Sequence, residues 1–529
     1  DGIDSLIDDK TWMDLEFPRI FIDANCTVTS VGAQILYCQM RIRPLHSADL
    51  AARHGQHLEL QSNRVLREAI QQRLLLLRGD ESAWISEFLF AELPPPAASR
   101  WKIACWGVVS LVTPIALLVL AWPMWLWLVV LLVNVVIIMR LSMTGHIMRD
   151  INTLRSCLRL ARVADSLAAM DHSLATDAVS YVMPLITKLR NQRTNRTEVR
   201  RSLRWLSFLK LPCVNTVARI LNVAVLLELY SHLGAMRKFS RLRPKLRESF
   251  RLVGEIDAAM AVASWLVFRP NHCFPTLTNE RGFQIENGQH PLLDAPVTNS
   301  IALSGRSVLV TGSNMAGKTT FIKMLGVNVI LAQTLGFCFA TSASVPFSNV
   351  MACIHSEHSV ETGLSHYMAE TLRIRSFLNQ PTLGLWNIFI IDELFSGTNT
   401  IERIAIAQAV LRALSRNALV LATTHDVELQ SILQDCFSFY HFQEDPDVDG
   451  FFDYRLRSGA TNAHNAIRLL AELDFPRPVI EDAEGFTSKE YASPVFAARS
   501  SLHPHQGMAG AFATTGARDA HALSQDNPV

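Results

Sequence analysis

The sequence predicts a multidomain chain: an α-helical region carrying a transmembrane helical hairpin, followed by an α/β module with a mostly parallel sheet. Three observations carry that expectation. The stretch Gly312-Ser313-Asn314-Met315-Ala316-Gly317-Lys318-Thr319 lies between an apolar strand-like run, Ser307 to Thr311, and a helix-like run from Thr320 to Gln333. Residues Ile103 to Met139 are 37 in succession without a charge. From about residue 271 onward, strand-like, loop-like and helix-like stretches alternate.

Composition narrows the classes. The chain has 529 residues, of which 49% are apolar and 18% charged. An ordinary soluble domain carries about 25% charged residues, so the deficit points to a strongly apolar segment. The nine cysteines are scattered, with no C-x-x-C pair. That spacing argues against a zinc site and against a disulfide framework.

Residues 1–100 read as an N-terminal helical module. Val65, Ala69, Leu74 and Leu77 recur at helical spacing, and Pro94-Pro95-Pro96 ends the segment as a linker. Residues 101–140 read as the hairpin. A single helix over the uncharged run 103–139 would be roughly 55 Å long, against a ~30 Å hydrocarbon core. Ala121-Trp122-Pro123-Met124 supplies the break, and Trp101, Trp106, Trp122, Trp125 and Trp127 suit interfacial belts. Arg100, Lys102, Arg140 and Arg149 lie at the open ends, which the positive-inside rule places on the cytoplasmic side. The competing reading is a very apolar hairpin buried in a soluble protein, because Pro114 and Asn134 interrupt its two halves.

Residues 141–270 read as long helices with a strong basic bias. Lys188 to Arg251 hold sixteen Lys or Arg against three Glu, a local net of +13 in a chain whose total is +1. Three environments suit such a block: a nucleic-acid backbone, an anionic lipid surface, or water around a solvated helical face.

Residues 271–485 form the α/β module. In a G-x-x-x-x-G-K-[ST] loop between strand and helix, glycines let backbone N–H groups turn toward phosphate oxygens. Lys318 reaches the terminal phosphates, and Thr319 offers a hydroxyl to Mg²⁺. The sequence thus predicts a nucleotide's phosphates and Mg²⁺ at Gly312, Ser313, Asn314, Met315, Ala316, Gly317, Lys318, Thr319 and Thr320. Asn387 to Ile391 is an apolar strand ending in Asp392-Glu393. An aspartate there suits Mg²⁺, and the adjoining glutamate suits activation of water. Ala418 to Thr423 is a further buried strand, and His425 follows it at the carboxyl end, where open α/β sheets bind ligands. Residues 486–529 are rich in Ala, Ser, Gly, His and Pro and read as a disordered tail.

Together these segments carry a family resemblance. Thr311 to Thr320 resembles the phosphate loop of the MutS family of DNA mismatch repair ATPases, with its Asn314-Met315 pair. Asp392-Glu393-Leu394-Phe395-Ser396-Gly397-Thr398-Asn399-Thr400, Ala422-Thr423-Thr424-His425-Asp426 and Gly363 to Glu370 are similar to further segments of that family, as are His290-Pro291 and Phe452 to Leu456. The resemblance implies an ATPase in which Lys318, Glu393 and His425 are catalytic and Thr319 and Asp392 hold the metal. It implies that Ser365 reaches the partner's ATP across a homodimer interface. It also implies DNA binding related to mismatch repair, with backbone contacts from Lys188–Arg251 and ATP-driven switching of the dimer. The resemblance also implies a branch lacking the mismatch-reading domain, since the residues ahead of the hairpin are too few for both that domain and the connector that follows it in the family. The hairpin itself resembles a bacterial membrane-anchored MutS-related branch, which places the protein at the inner membrane with its ATPase module in the cytoplasm. The alternative is a membrane-tethered ATPase switch acting on a protein or lipid partner without DNA.

Overall fold

The computed structural model describes residues 6–44, 46–79, 83–91, 100–123, 125–143, 146–171, 180–203, 227–354, 366–381, 384–443, 452–460 and 475–491. The expected tail therefore falls outside the described residues from 492 onward. The chain divides into two units, 1–462 and 463–529. In the second, the described element is a helix, Arg477–Tyr491.

The first unit begins with six helices: α1 (Asp9–Asp14), α2 (Phe17–Ala24), α3 (Ser30–Arg41), α4 (Ser47–Ser62), α5 (Arg64–Leu74) and α6 (Ile85–Phe90). Side-chain caps start several of them. Asp8 accepts from the Thr11 amide at α1, Thr29 from Gly32 at α3, and Asn63 from Leu66 at α5. Then come α7 (Arg100–Val119), α8 (Trp125–Met143), α9 (His146–Ala168), α10 (Met183–Asn191), α11 (Arg193–Leu203) and the 41-residue α12 (Leu227–Val267). Helix α12 is the spine of this region, packing on α3, α4, α9 and α11. Its buried Asp257 accepts from the amides of Val28 and Thr29, both at 2.9 Å, and from the Thr29 hydroxyl at 2.6 Å. Those bonds satisfy groups that burial would otherwise leave without water.

The structure overturns the expected transmembrane hairpin. Among the described residues, no helix is long and apolar enough to cross a membrane. The uncharged run is split by a turn in which Ala121 takes φ 53, and Pro114 sits inside α7. What holds α7 to α8 is polar: Trp106 Nε1 donates to Asn134 Oδ1 at 2.7 Å, and Asn134 Nδ2 donates to Ser110 Oγ at 3.0 Å. Each helix is thus interrupted by a turn, a proline or a buried polar residue before it reaches the ~20 apolar residues a span needs. The expected placement at the inner membrane rested on that span and falls with it.

Ten strands follow: β1 (Thr276–Thr278), β2 (Phe283–Gly288), β3 (Asn299–Leu303), β4 (Ser307–Thr311), β5 (Ser342–Pro346), β6 (Ser348–Cys353), β7 (Trp386–Asp392), β8 (Ala418–Thr423), β9 (Phe437–His441) and β10 (Arg457–Ser458). Between them lie α13 (Lys318–Thr334), α14 (His366–Leu378), α15 (Thr400–Asn417) and α16 (Glu428–Ile432). The strands form a four-stranded sheet, β1-β5-β2-β3, and a six-stranded sheet, β10-β9-β4-β8-β7-β6. The larger sheet is parallel except for β10. Strands β4 and β8 are buried at every position, as central strands covered on both faces must be.

Helix α13 runs through the middle of one continuous core. A Cβ placed on Gly326 would lie 2.3 Å from the Ile390 Cδ1 methyl of β7 and 3.0 Å from Leu15 beside α1, so a larger residue there would have to displace those side chains. Trp12, Leu15, Phe17 and Ile20 share this core with Phe321, Val308 and Ile390. Helix α1 also covers the edge of the large sheet. Thr11 Oγ1 accepts from the Ala352 amide and Asp14 Oδ2 from the Ile354 amide, each at 2.9 Å, while Arg373 Nε donates to the Ala352 carbonyl. An open edge strand is a template for wrong pairing, and these side chains close it. Asp14→Ala leaves the buried Ile354 N–H without its acceptor, and we predict a loss of about 1–3 kcal/mol. Chemical denaturation measures it; an unchanged midpoint would contradict the edge-closing role.

Candidate functional site

The carboxyl ends of β4, β7 and β8 lie side by side. Val310 pairs with Thr423 and Asp392 with Thr423 in register, so the residues that follow each strand emerge at one place. Open α/β sheets bind ligands at this rim.

From β4 the chain enters the glycine loop. Gly312 takes φ 137, and a Cβ there would sit 2.7 Å from the Phe442 carbonyl, so a side chain would force the loop off the sheet. Asn314 to Ala316 make one 3₁₀ turn, and Gly317, at φ 96, caps α13. Within the loop Met315 is exposed and Ala316 buried, while Thr320 is exposed in the first turn of the helix. Lys318 is buried at the first position of the helix. Its Nζ donates to the carbonyls of Gly312 at 2.7 Å and Ser313 at 2.9 Å. Burial pulls its pKa down to about 8, with Glu393 and Asp392 opposing the shift. A helix N-terminus carrying this ammonium group attracts phosphate.

Thr319 Oγ1 donates to Asp392 Oδ2 at 2.8 Å, and the Thr423 hydroxyl donates to Asp392 Oδ1 at 2.5 Å. The hydroxyl of Thr319 and carboxylate of Asp392 are hard oxygen donors in contact, a set that fits Mg²⁺. Among the described residues no group of three or more His, Cys, Asp or Glu could hold a metal. The pair therefore suits an ion that takes its remaining ligands from phosphate and water.

Glu393 stands at φ 51 and Phe395 at φ 56, left-handed conformations uncommon outside glycine. The turn is held by its amides: Glu393 N donates to Thr423 Oγ1 at 3.2 Å, and Phe395 N to Glu370 Oε1 at 2.6 Å. That twist brings the Glu393 carboxylate to His425, whose Nε2 lies 2.7 Å from Oε1. The same Nε2 is 3.3 Å from Lys318 Nζ. With the imidazole donating to Glu393, its proton points at the carboxylate and not at the ammonium. Arg403 pairs with both oxygens of Asp426, at 2.6 and 2.9 Å, and fixes the loop just after His425.

The structure thus brings together Lys318, Thr319, Asp392, Glu393 and His425, five residues chosen from sequence. Ser365 lies outside the described residues. Missed were the bridging roles of Thr423, Glu370 and Arg403. Thr423 and Glu370 stood inside recognised segments as unassigned letters, whereas the Arg403–Asp426 pair spans 23 residues and leaves no local signal. Also missed was a cavity of about 410 Å³ beside the loop, lined by His290, Asn299, Met315, Thr319, Phe442 and Tyr454. Burial lowers the pKa of His290 to about 4, so it is neutral at ordinary pH.

Residues 308–490 match the family model of MutS domain V. The DNA mismatch repair protein MutS of Natronomonas pharaonis is 28% identical over 252 residues, covering 45% of this chain and 29% of its own length. The MutS of Thermus aquaticus is 28% identical over 257 residues, covering 47% of this chain and 31% of its own. Endonuclease MutS2 of Streptococcus equi subsp. equi is 27% identical over 261 residues, covering 47% of this chain and 33% of its own. Over this part of the chain the protein is thus similar to proteins of the MutS family. The chain spans about a third or less of the length of these curated relatives.

Phosphate binding requires the protonated form of Lys318. Because its pKa is lowered to about 8, the free site loses that proton as pH rises through 8. Nucleotide affinity should be constant below that value and fall by up to about tenfold per pH unit above it. Titration of a fluorescent nucleotide from pH 6.5 to 9.5 checks this, and a flat profile would refute the shift.

Proposed function

We propose that this chain is a MutS-like, Mg²⁺-dependent ATPase that couples nucleotide hydrolysis to a conformational change. The observation that carries the reading is the Lys318–Thr319–Asp392–Glu393–His425 constellation at the rim of the parallel sheet. Lys318 and the backbone of residues 312–317 bind the phosphates, with Asn314, Met315 and Ala316 forming the turn and Thr320 flanking it. Thr319 and Asp392 hold Mg²⁺, which when bound neutralises charge between the outer phosphates. Glu393 orients and deprotonates the attacking water. His425, hydrogen-bonded to Glu393, fixes that carboxylate and faces the terminal phosphate. The cavity lined by His290, Phe442 and Tyr454 receives the base.

The partner that this reading assigns is DNA, on the strength of the similarity to MutS proteins, and the assembly is a homodimer in which Ser365 reaches the partner's nucleotide. The structure redistributes the basic block on which DNA binding was expected to rest. Arg243 and Arg247 donate to the Leu89 carbonyl, Lys245 pairs with Glu198, and Arg251 pairs with Glu248 and Glu255. Arg243, Lys245 and Arg247 thus tie α12 to α6 and α11, while Arg251 pairs within α12, so phosphate contacts fall to the remainder. A second reading is a switch acting on a protein partner without DNA. It is favoured by the exposed Leu118, Val119, Trp125 and Leu132 of α7, α8 and their turns, an apolar surface that suits contact with a partner.

Three outcomes test the reading. Lys318→Ala abolishes ATP turnover in a coupled assay; wild-type turnover would sink the site. Glu393→Gln lowers kcat by about 10²-fold or more while nucleotide still binds, as expected when a base is removed. Turnover measured with homoduplex, mismatched and branched DNA across a salt series rises with DNA and loses the stimulation as salt increases. Hydrolysis indifferent to every DNA would favour the protein-partner reading.

A further inference from the structure

One wall of the cavity beside the phosphate loop comes from the segment Phe452 to Leu456, which leads into the two-residue strand β10. Within it Tyr454 takes φ 54, a left-handed conformation uncommon outside glycine. Its ring lies against the loop: a Cβ on Gly317 would come within 3.2 Å of Tyr454 Cδ1. Such a backbone persists only where its surroundings impose it.

Asn299 imposes it. Its Nδ2 donates to the Tyr454 carbonyl at 3.0 Å, and its Oδ1 accepts from the Leu456 amide at 2.7 Å. One carboxamide therefore grips the chain on both sides of Arg455, across 155 and 157 residues of sequence. The bonds that Asp453 accepts from the Arg455 amide and from Arg457, at 3.0 and 2.8 Å, stay within the neighbouring residues and leave the tie to the small sheet to Asn299. Asn299 opens β3 on the face that carries the buried Ile301 and Leu303. Opposite it the β2–β3 register shifts between Ile285 and Gly288, with Asn287 at φ 49. Bulges of this kind re-aim side chains beside a site, and Asn299 lines the cavity.

We propose that Asn299 is a positioning residue for the base of the bound nucleotide. By holding the backbone at Tyr454 and Leu456, it fixes the Tyr454 ring as the wall on which a planar base stacks. This role rests on the nucleotide reading of the cavity given above. The rest of the lining includes Leu293, Val297, Met324 and Phe442, so the base gains from stacking and burial and not from charge. A ring already held in one orientation offers that face without being ordered by the ligand. Aspartate at 299 keeps the acceptor for Leu456 but turns a lone pair toward the Tyr454 carbonyl, whereas alanine loses both bonds.

Steady-state turnover of the full chain separates this role from a merely structural one, with inorganic tripolyphosphate as a competitive inhibitor that has no base. Asn299→Asp and Asn299→Ala raise KM for ATP about three- to tenfold, the loss of one or two hydrogen bonds, with kcat within about twofold. The Ki of tripolyphosphate stays the same, because the phosphate loop is intact. In a Tyr454→Ala background, itself weakened about tenfold, Asn299→Asp adds less than about twofold, since the two residues act as one unit. An unchanged KM in both Asn299 variants would overturn the role. So would an equal loss for tripolyphosphate, which would make Asn299 a brace of the loop, or full additivity with Tyr454→Ala. Absence of ATP turnover in the unsubstituted chain would instead overturn the nucleotide reading itself.

Discussion

The carboxylate of Asp392 is the fixed point of the molecule. It ends β7, accepts from Thr423 at the end of β8, and accepts from Thr319 in the first turn of α13. Two sheet strands and the phosphate-loop helix are therefore locked to a single acid. Their relative positions decide whether Glu393 meets His425 and whether Lys318 faces both. The parallel register supplies the coarse alignment, and Asp392 supplies the last ångström. The twisted turn at Glu393 and Phe395 is held against its conformational preference by hydrogen bonds that its amides donate to Thr423 and Glu370.

That arrangement is stiffened from an unexpected direction. The first two helices are remote in sequence from the site but share its core, and α1 closes the edge strand β6 with Thr11 and Asp14. Arg373 of α14 crosses from Thr11 to the Ala352 carbonyl and joins the helix before the Asp392 strand to the same edge. Glu370, on α14 as well, caps the loop after Asp392. Contacts thus run from α1 through α14 to the turn that carries Glu393.

The helical region shows how charge and apolarity mislead when counted along a line. Its arginines look like one basic surface in sequence, but folding divides them into three uses: carbonyl caps such as Arg243 and Arg247, ion pairs such as Arg251, and the walls of a cavity among α9, α10 and α11. The 37 uncharged residues look like a membrane hairpin because a count along the chain does not show the buried Asn134–Ser110 clasp between its two halves. That clasp is a consequence of helix pairing, which a linear window does not see.

By itself the sequence marked out the α/β module, the glycine loop and Lys318, Thr319, Asp392, Glu393 and His425 as candidate site residues. These are legible because each follows an apolar strand, directly or across the glycine turn, and strand ends and glycine turns are local properties written in consecutive residues. The tertiary structure alone decided that the two helices of the apolar run are clasped by buried Asn134 and Ser110. It alone decided that Thr423, Glu370 and Arg403 brace the site, that α1 closes the sheet, and that Asn299 clasps the segment that carries Tyr454. Each of those depends on residues far apart in the chain meeting through packing, and the energy of such a meeting belongs to neither segment alone.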